Sequence, residues 1–111
     1  MIPELVVYYL LTFAGFTESQ AHVMTCVAKY ESSFRPAALN TNTNGTLDVG
    51  LLQINTVWHN TSPECAIDKL QNPMYNSLCA YKVFNEQGIS AWVAWSLNKE
   101  ECNTYKVKGV E

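Results

Sequence analysis

The stretch Ala28-Lys29-Tyr30-Glu31-Ser32-Ser33-Phe34, followed by a polar Asn/Thr-rich segment and then Gly45-Thr46-Leu47-Asp48-Val49-Gly50-Leu51-Leu52-Gln53-Ile54-Asn55, organises the rest of the chain. Upstream, Met24, Val27, Ala28 and Glu31 fall at i, i+3, i+4 and i+7, which places the Glu31 carboxyl on the apolar face of a helix ending near it. Asn44-Gly45 between short Thr-rich arms predicts a tight hairpin with a type I′ turn, so Asp48 falls on the returning strand. Two carboxyls can then face each other across a cleft lined by amides and indoles. Acid-assisted cleavage of a glycosidic bond requires that layout.

Outward from this stretch the remaining elements are legible from their caps. Pro3 suits an early helix position, and Glu4 to Phe13 predicts a largely apolar helix closed by Gly15. Thr17 and Gln20 form a capping box opening the helix that carries Glu31, and Arg35-Pro36 closes it. Leu51 to Ile54 predicts a third short strand, and Trp58 to Ser62 a loop. Asn72-Pro73 reads as N-cap and first residue of a long helix to about Asn85, with Gly88 beyond its end. Ser90 is expected to cap a short indole-rich helix over Ala91 to Ser96, before an irregular or weakly helical tail. Helices flanking a small antiparallel sheet make an α+β, mainly helical class.

The chain of 111 residues predicts a single domain over 1–111, of a size that buries roughly 65% of its unfolded surface. No apolar run approaches the ~18 residues of a membrane span, so no membrane insertion is expected. Leu5 to Phe13 lacks a preceding basic residue and a following cleavage signal, and reads as a helix of the folded domain. Four cysteines, no C-x-x-C pair and only two histidines, His22 and His59, favour two disulfides over a zinc site. Disulfides imply a secreted, extracellular protein. The net charge of −3 argues against nucleic acid or anionic surfaces as partners. His22 and His59 need no catalytic role, and Trp95 is assigned to the core. Asn44 and Asn60 begin glycosylation sequons.

The segments Ala28-Lys29-Tyr30-Glu31-Ser32, Asp48-Val49-Gly50-Leu51-Leu52-Gln53-Ile54-Asn55 with Trp58, and Ala91-Trp92-Val93-Ala94-Trp95 resemble the C-type lysozyme and α-lactalbumin family, a likeness that extends over most of the chain. The resemblance implies a lysozyme fold with a helical lobe, a small β-hairpin lobe and a cleft between them. It implies Glu31 as general acid, Asp48 as the second carboxylate, and Asn42, Gln53, Asn55, Trp58, Ala91 and Trp92 as cleft residues; the polar loop around Trp58 makes it the better candidate for an exposed sugar platform. It also implies disulfides Cys26–Cys102 and Cys65–Cys79, where the family usually has four bridges.

Departures from the family pattern carry further expectations. Without the bridge that tethers the chain ends, the C-terminal tail should fray. Shorter segments between Trp58 and Cys65 and before Trp92 imply a more open outer cleft. The acidic cluster that binds calcium in some members is absent around Asp68 to Asn76, so neither calcium nor any other metal or cofactor is expected.

Either acid alone would read as a solvated or turn residue; the pair inside this pattern carries the chemistry. The resemblance implies retaining hydrolysis of the β-1,4 bond between N-acetylmuramic acid and N-acetylglucosamine in peptidoglycan, with chito-oligosaccharides as a second substrate, by a monomer. By the same resemblance Trp92 packs against Glu31 and raises its pKa to about 6 through desolvation, while the polar residues around Asp48 favour its ionised form. The alternatives are a non-catalytic sugar- or partner-binding protein on the same fold, or a lytic transglycosylase, which would not need Asp48. Many antibacterial family members are basic, so the acidic balance here fits a digestive role with an acidic optimum.

Overall fold

A computed structural model describes residues 1–110. Five α-helices and three short strands succeed one another as α1 (Glu4–Ala14), α2 (Glu18–Ser32), β1 (Leu39–Thr41), β2 (Leu47–Val49), β3 (Ile54–Asn55), α3 (Pro73–Gln87), α4 (Val93–Leu97) and α5 (Lys99–Asn103). Single 3-10 turns over Thr56–Trp58, Pro63–Cys65, Ile67–Lys69 and Ile89–Ala91 join them. The class is α+β and mainly helical, with a three-stranded antiparallel sheet in the order β1-β2-β3.

The caps form where local chemistry demands them. The Thr17 hydroxyl accepts from the Gln20 amide at 3.1 Å while Gln20 Oε1 accepts from the Thr17 amide at 2.9 Å, closing both halves of the capping box. Asn72 Oδ1 accepts from the Met74 and Tyr75 amides at the start of α3. Gly15 ends α1 with φ 128. Pro3, expected inside α1, is its N-cap instead, with extended ψ of 147°. Ser90 caps nothing; it lies in the preceding 3-10 turn and Trp92 is the N-cap of α4.

The hairpin differs from its expected turn type. Asn42 N–H donates to Thr46 O at 2.9 Å and Gly45 N–H to Asn42 O at 3.1 Å, with Gly45 at φ 87 and Asn44 outside the positive-φ residues. This is a three-residue loop, a type I turn closed by glycine in a bulge, where a type I′ turn would need positive φ at two adjacent residues. Asn44 Oδ1 accepts from both the Thr46 amide and its hydroxyl, at 3.0 and 2.7 Å. That local bond holds Asn44 in a conformation the two-residue turn would forbid.

The third strand is also displaced, to Ile54–Asn55 from the expected Leu51 to Ile54. Leu51 and Leu52 are fully buried in a turn that anchors the sheet to the helices. Asn76 on α3 is the tie. Its Nδ2 donates to Val49 O and Leu70 O, each at 2.8 Å, and its Oδ1 accepts from Leu52 N–H at 2.9 Å. Asn76 is completely buried with every polar atom paired, which such a burial requires. Gly50, at φ 82, passes so close that an added Cβ would lie 2.3 Å from Leu70 O.

The core joins α1, α2, α3 and this turn through Val7, Leu11, Met24, Val27, Leu51 and Ala80. Disulfides link Cys26 to Cys102 and Cys65 to Cys79, closing separations of 76 and 14 residues, worth on the order of 4.5 and 3 kcal/mol in the chain-entropy account.

The tail, expected to fray more freely, makes specific contacts with the first two helices. Val107 is buried, its N–H donates to His22 Nδ1 at 3.1 Å, and the Tyr105 hydroxyl donates to Glu4 Oε1 at 2.9 Å. These contacts tie the tail to α1 and α2. His22 thus gains a structural role as an acceptor. Trp95 is half-buried against the core, with its indole N–H donating to Asn103 Oδ1 at 2.9 Å. No helix among the described residues is long and apolar enough to cross a membrane.

Candidate active site

Glu31 is the penultimate residue of α2 and Asp48 the central residue of β2. Beyond Glu31 the backbone turns sharply, because Ser33 and Phe34 both adopt left-handed conformations, φ 54 and 61. Each costs a non-glycine residue about 1–2 kcal/mol. Phe34 offsets this by packing against the core and by accepting Ile2 N–H at 2.9 Å on its carbonyl. The reversal brings β1 and β2 back beside the end of α2. No sequence signal announces two consecutive left-handed residues without glycine or asparagine.

Glu31, Asp48, Gln53, Asn55, Trp58, Ala91 and Trp92 all line one cavity of about 390 Å³. A pocket of this size suits a small ligand or part of a chain. Of the residues anticipated as cleft-lining, Asn42 alone is not on this wall. Its Nδ2 donates to Thr46 Oγ1 at 3.1 Å, and Asn55 Nδ2 donates to the same hydroxyl at 3.1 Å, so Asn42 stands behind Asn55. Ile54, Val57, Val83, Gln87 and Val93 complete the wall and were not anticipated. Val57 and Val93 are each 67% exposed and flank the opening as an apolar rim. Isolated valines beside a 3-10 turn and at a helix start have no pattern that marks them as cavity-lining.

The two carboxyls have different surroundings. Glu31 is half-buried, and its pKa is pushed up from 4.5 to about 7, chiefly by burial and then by the Asp48 charge. The Ala94 backbone N–H, in the first turn of α4, donates to the Glu31 carboxyl and opposes the rise. Trp92 forms the buried side of the cavity, with its indole N–H donating to Leu52 O at 2.9 Å. That bond locks the ring to the same turn that Asn76 holds.

Asp48 lies in a row of amides. Its cross-strand partners are Asn40 on β1 and Asn55 on β3, which share its face of the sheet. Asn55 Nδ2 donates to Asp48 Oδ1 at 3.1 Å. Asn40 Nδ2 donates to Gln53 Oε1 at 2.7 Å, and Gln53 Nε2 in turn donates to Ala38 O and Gly50 O. Gln53, with φ 50, is thereby fixed across the base of the sheet. The arrangement pairs one carboxyl that holds its proton near neutrality with one hydrogen-bonded by an amide and open to the same space. It can supply a proton on one side of a bound ligand and negative charge on the other.

A family model described as a lysozyme-like domain matches residues 8–97. The chain is 39% identical over 82 residues to a lysozyme C of Dromaius novaehollandiae, covering 63% of this chain and 56% of that protein. It is 33% identical over 82 residues to a lysozyme C of Takifugu rubripes, covering 64% and 57%. A third relative, the lysozyme C-3 of Anas platyrhynchos, is 37% identical over 82 residues, covering 63% and 64%. The match spans less than two thirds of each relative's own length.

Proposed function

This chain belongs to the lysozyme-like domain family, and from that premise we propose that it is a retaining glycoside hydrolase. Its substrate is the β-1,4 bond between N-acetylmuramic acid and N-acetylglucosamine in peptidoglycan, with chito-oligosaccharides as a second substrate. Residues 1–111 act as a single domain, secreted and monomeric; the two disulfides support the extracellular location.

The observation that carries the proposal is the shared cavity of Glu31, with its pKa near 7, and Asp48. Cleavage needs a proton on the departing oxygen and negative charge beside the oxocarbenium-like centre. Glu31, protonated through the acidic and neutral range, donates to the glycosidic oxygen. Asp48, held by Asn55, attacks the anomeric carbon or stabilises its charge. Glu31, now ionised, takes a proton from water as that water attacks, so the configuration is retained. Trp58 and Trp92 give the sugar flat apolar surface, and Gln53 and Asn55 give it amide partners. Glu31 gains most from the low-dielectric wall, because burial shifts a carboxyl toward its neutral form.

Clearing of a bacterial cell-wall suspension tests the proposal, with Glu31→Gln as the comparison. The wild type should lower turbidity and the variant should not. Products should carry an added water by mass spectrometry. An anhydro-sugar product would identify a transglycosylase, and binding to walls without clearing would identify a sugar-binding protein; either result overturns the hydrolase.

A further inference from the structure

We propose that Arg35 is a specificity-determining residue that recognises a carboxylate on the substrate. The inference rests on the hydrolase reading above and deepens it.

A second cavity, of about 450 Å³, is lined by Glu31, Arg35, Ala37, Ala38, Leu39 and Asn40. It shares Glu31 with the cavity described above, so both cavities border the same carboxyl. Arg35 is the one basic side chain lining either cavity. Its Nε–H donates to Ser32 O at 3.0 Å, which fixes the guanidinium at the end of α2 and leaves the Nη groups for another partner. The ion pairs among the described residues are Lys29–Glu101 and Lys82–Glu86, so Arg35 has no carboxylate partner there.

The chemistry of the polymer supplies what the guanidinium lacks. N-acetylglucosamine is neutral, whereas N-acetylmuramic acid carries a lactyl ether ending in a carboxylate. A planar guanidinium binds a carboxylate through two parallel N–H donors, a geometry lysine cannot reproduce. The adjoining Ala37, Ala38 and Leu39 form a small apolar wall suited to the lactyl methyl group. With no basic residue in the main cavity, discrimination between an acidic and a neutral glycan is confined to the Arg35 side of Glu31.

The test is binding and turnover by wild type, Arg35→Gln and Arg35→Lys on three tetrasaccharides. These are alternating N-acetylglucosamine and N-acetylmuramic acid with free carboxylates, the same ligand with its carboxylates amidated, and chitotetraose. The wild type should bind the free acid about tenfold tighter than the amide. Arg35→Gln should erase that ratio and leave chitotetraose binding unchanged, and Arg35→Lys should keep part of it. A wild type that does not distinguish acid from amide overturns the proposal, as does an Arg35→Gln protein that keeps the ratio or loses affinity equally for all three. A wild type that turns over none of the three overturns the hydrolase reading, while a ratio that Arg35→Gln erases still supports the role of Arg35.

Discussion

Replacing Glu31 with glutamine should abolish hydrolysis and, increasingly as pH rises from 4.5 to about 7 and above, stabilise the fold relative to the wild type. The carboxyl sits at about 7 in the folded protein against 4.5 ordinarily. A raised folded-state pKa means that the native protein holds this proton more tightly than the unfolded chain does. The stability this gives is fully present below pH 4.5 and is lost as pH rises to about 7. Each pH unit of that interval is worth about 1.4 kcal/mol, so the limit is roughly 3 kcal/mol; water in the open cleft reduces it to on the order of 1.5 kcal/mol. Glutamine keeps the shape and never ionises. At pH 8 the variant should therefore melt about 6 °C above the wild type, and at pH 4 the two should nearly coincide. Calorimetric melts from pH 4 to 8 read this directly. A gap that does not widen with pH would show that Glu31 carries no burial penalty, and with it the argument for Glu31 as the proton donor would fall.

The pH profile of wall clearing should fall on its alkaline side near pH 7, as Glu31 loses its proton; undiminished clearing at pH 9 would contradict the assignment. Asn55→Ala removes the donor to Asp48 Oδ1 and should lower kcat about tenfold while costing about 1 kcal/mol of stability; a change in KM alone would count against it. Asn76→Ala strands Val49 O, Leu70 O and Leu52 N–H in the interior and should cost on the order of 4 kcal/mol in denaturant titration. Gly50→Ala places a Cβ 2.3 Å from Leu70 O at φ 82 and should cost more than about 3 kcal/mol, or prevent folding.

The capping box at Thr17 and Gln20, the Asn72-Pro73 helix start and the apolar stripe ending at Glu31 were readable because each signal lies within one or two helical turns. Caps and amphipathic stripes are local physics, and the chain has little alternative once it contains them. The stripe placed Glu31 on a helix end, and the Asn44-Gly45 hairpin signal placed Asp48 on a strand. The hairpin loop and the third strand were misread at the level of turn type and register. There, competing local conformations differ by little, and distant partners decide between them.

Tertiary structure alone decided how the two lobes meet. Leu51 and Leu52 read as strand, yet their burial against the helices and the Asn76 bonds turn them into an anchor. Asn76, read from the sequence only as part of a stretch without an acidic cluster, is the interior tie between sheet and helices. The left-handed pair Ser33-Phe34 persists because packing of Phe34 outweighs its strain. His22 holds the tail through a bond to Val107, 85 residues further on. Sequence determined which chemical groups exist and the periodicity that presents them. Only the fold could set their burial, and burial is what makes one carboxyl an acid near neutrality.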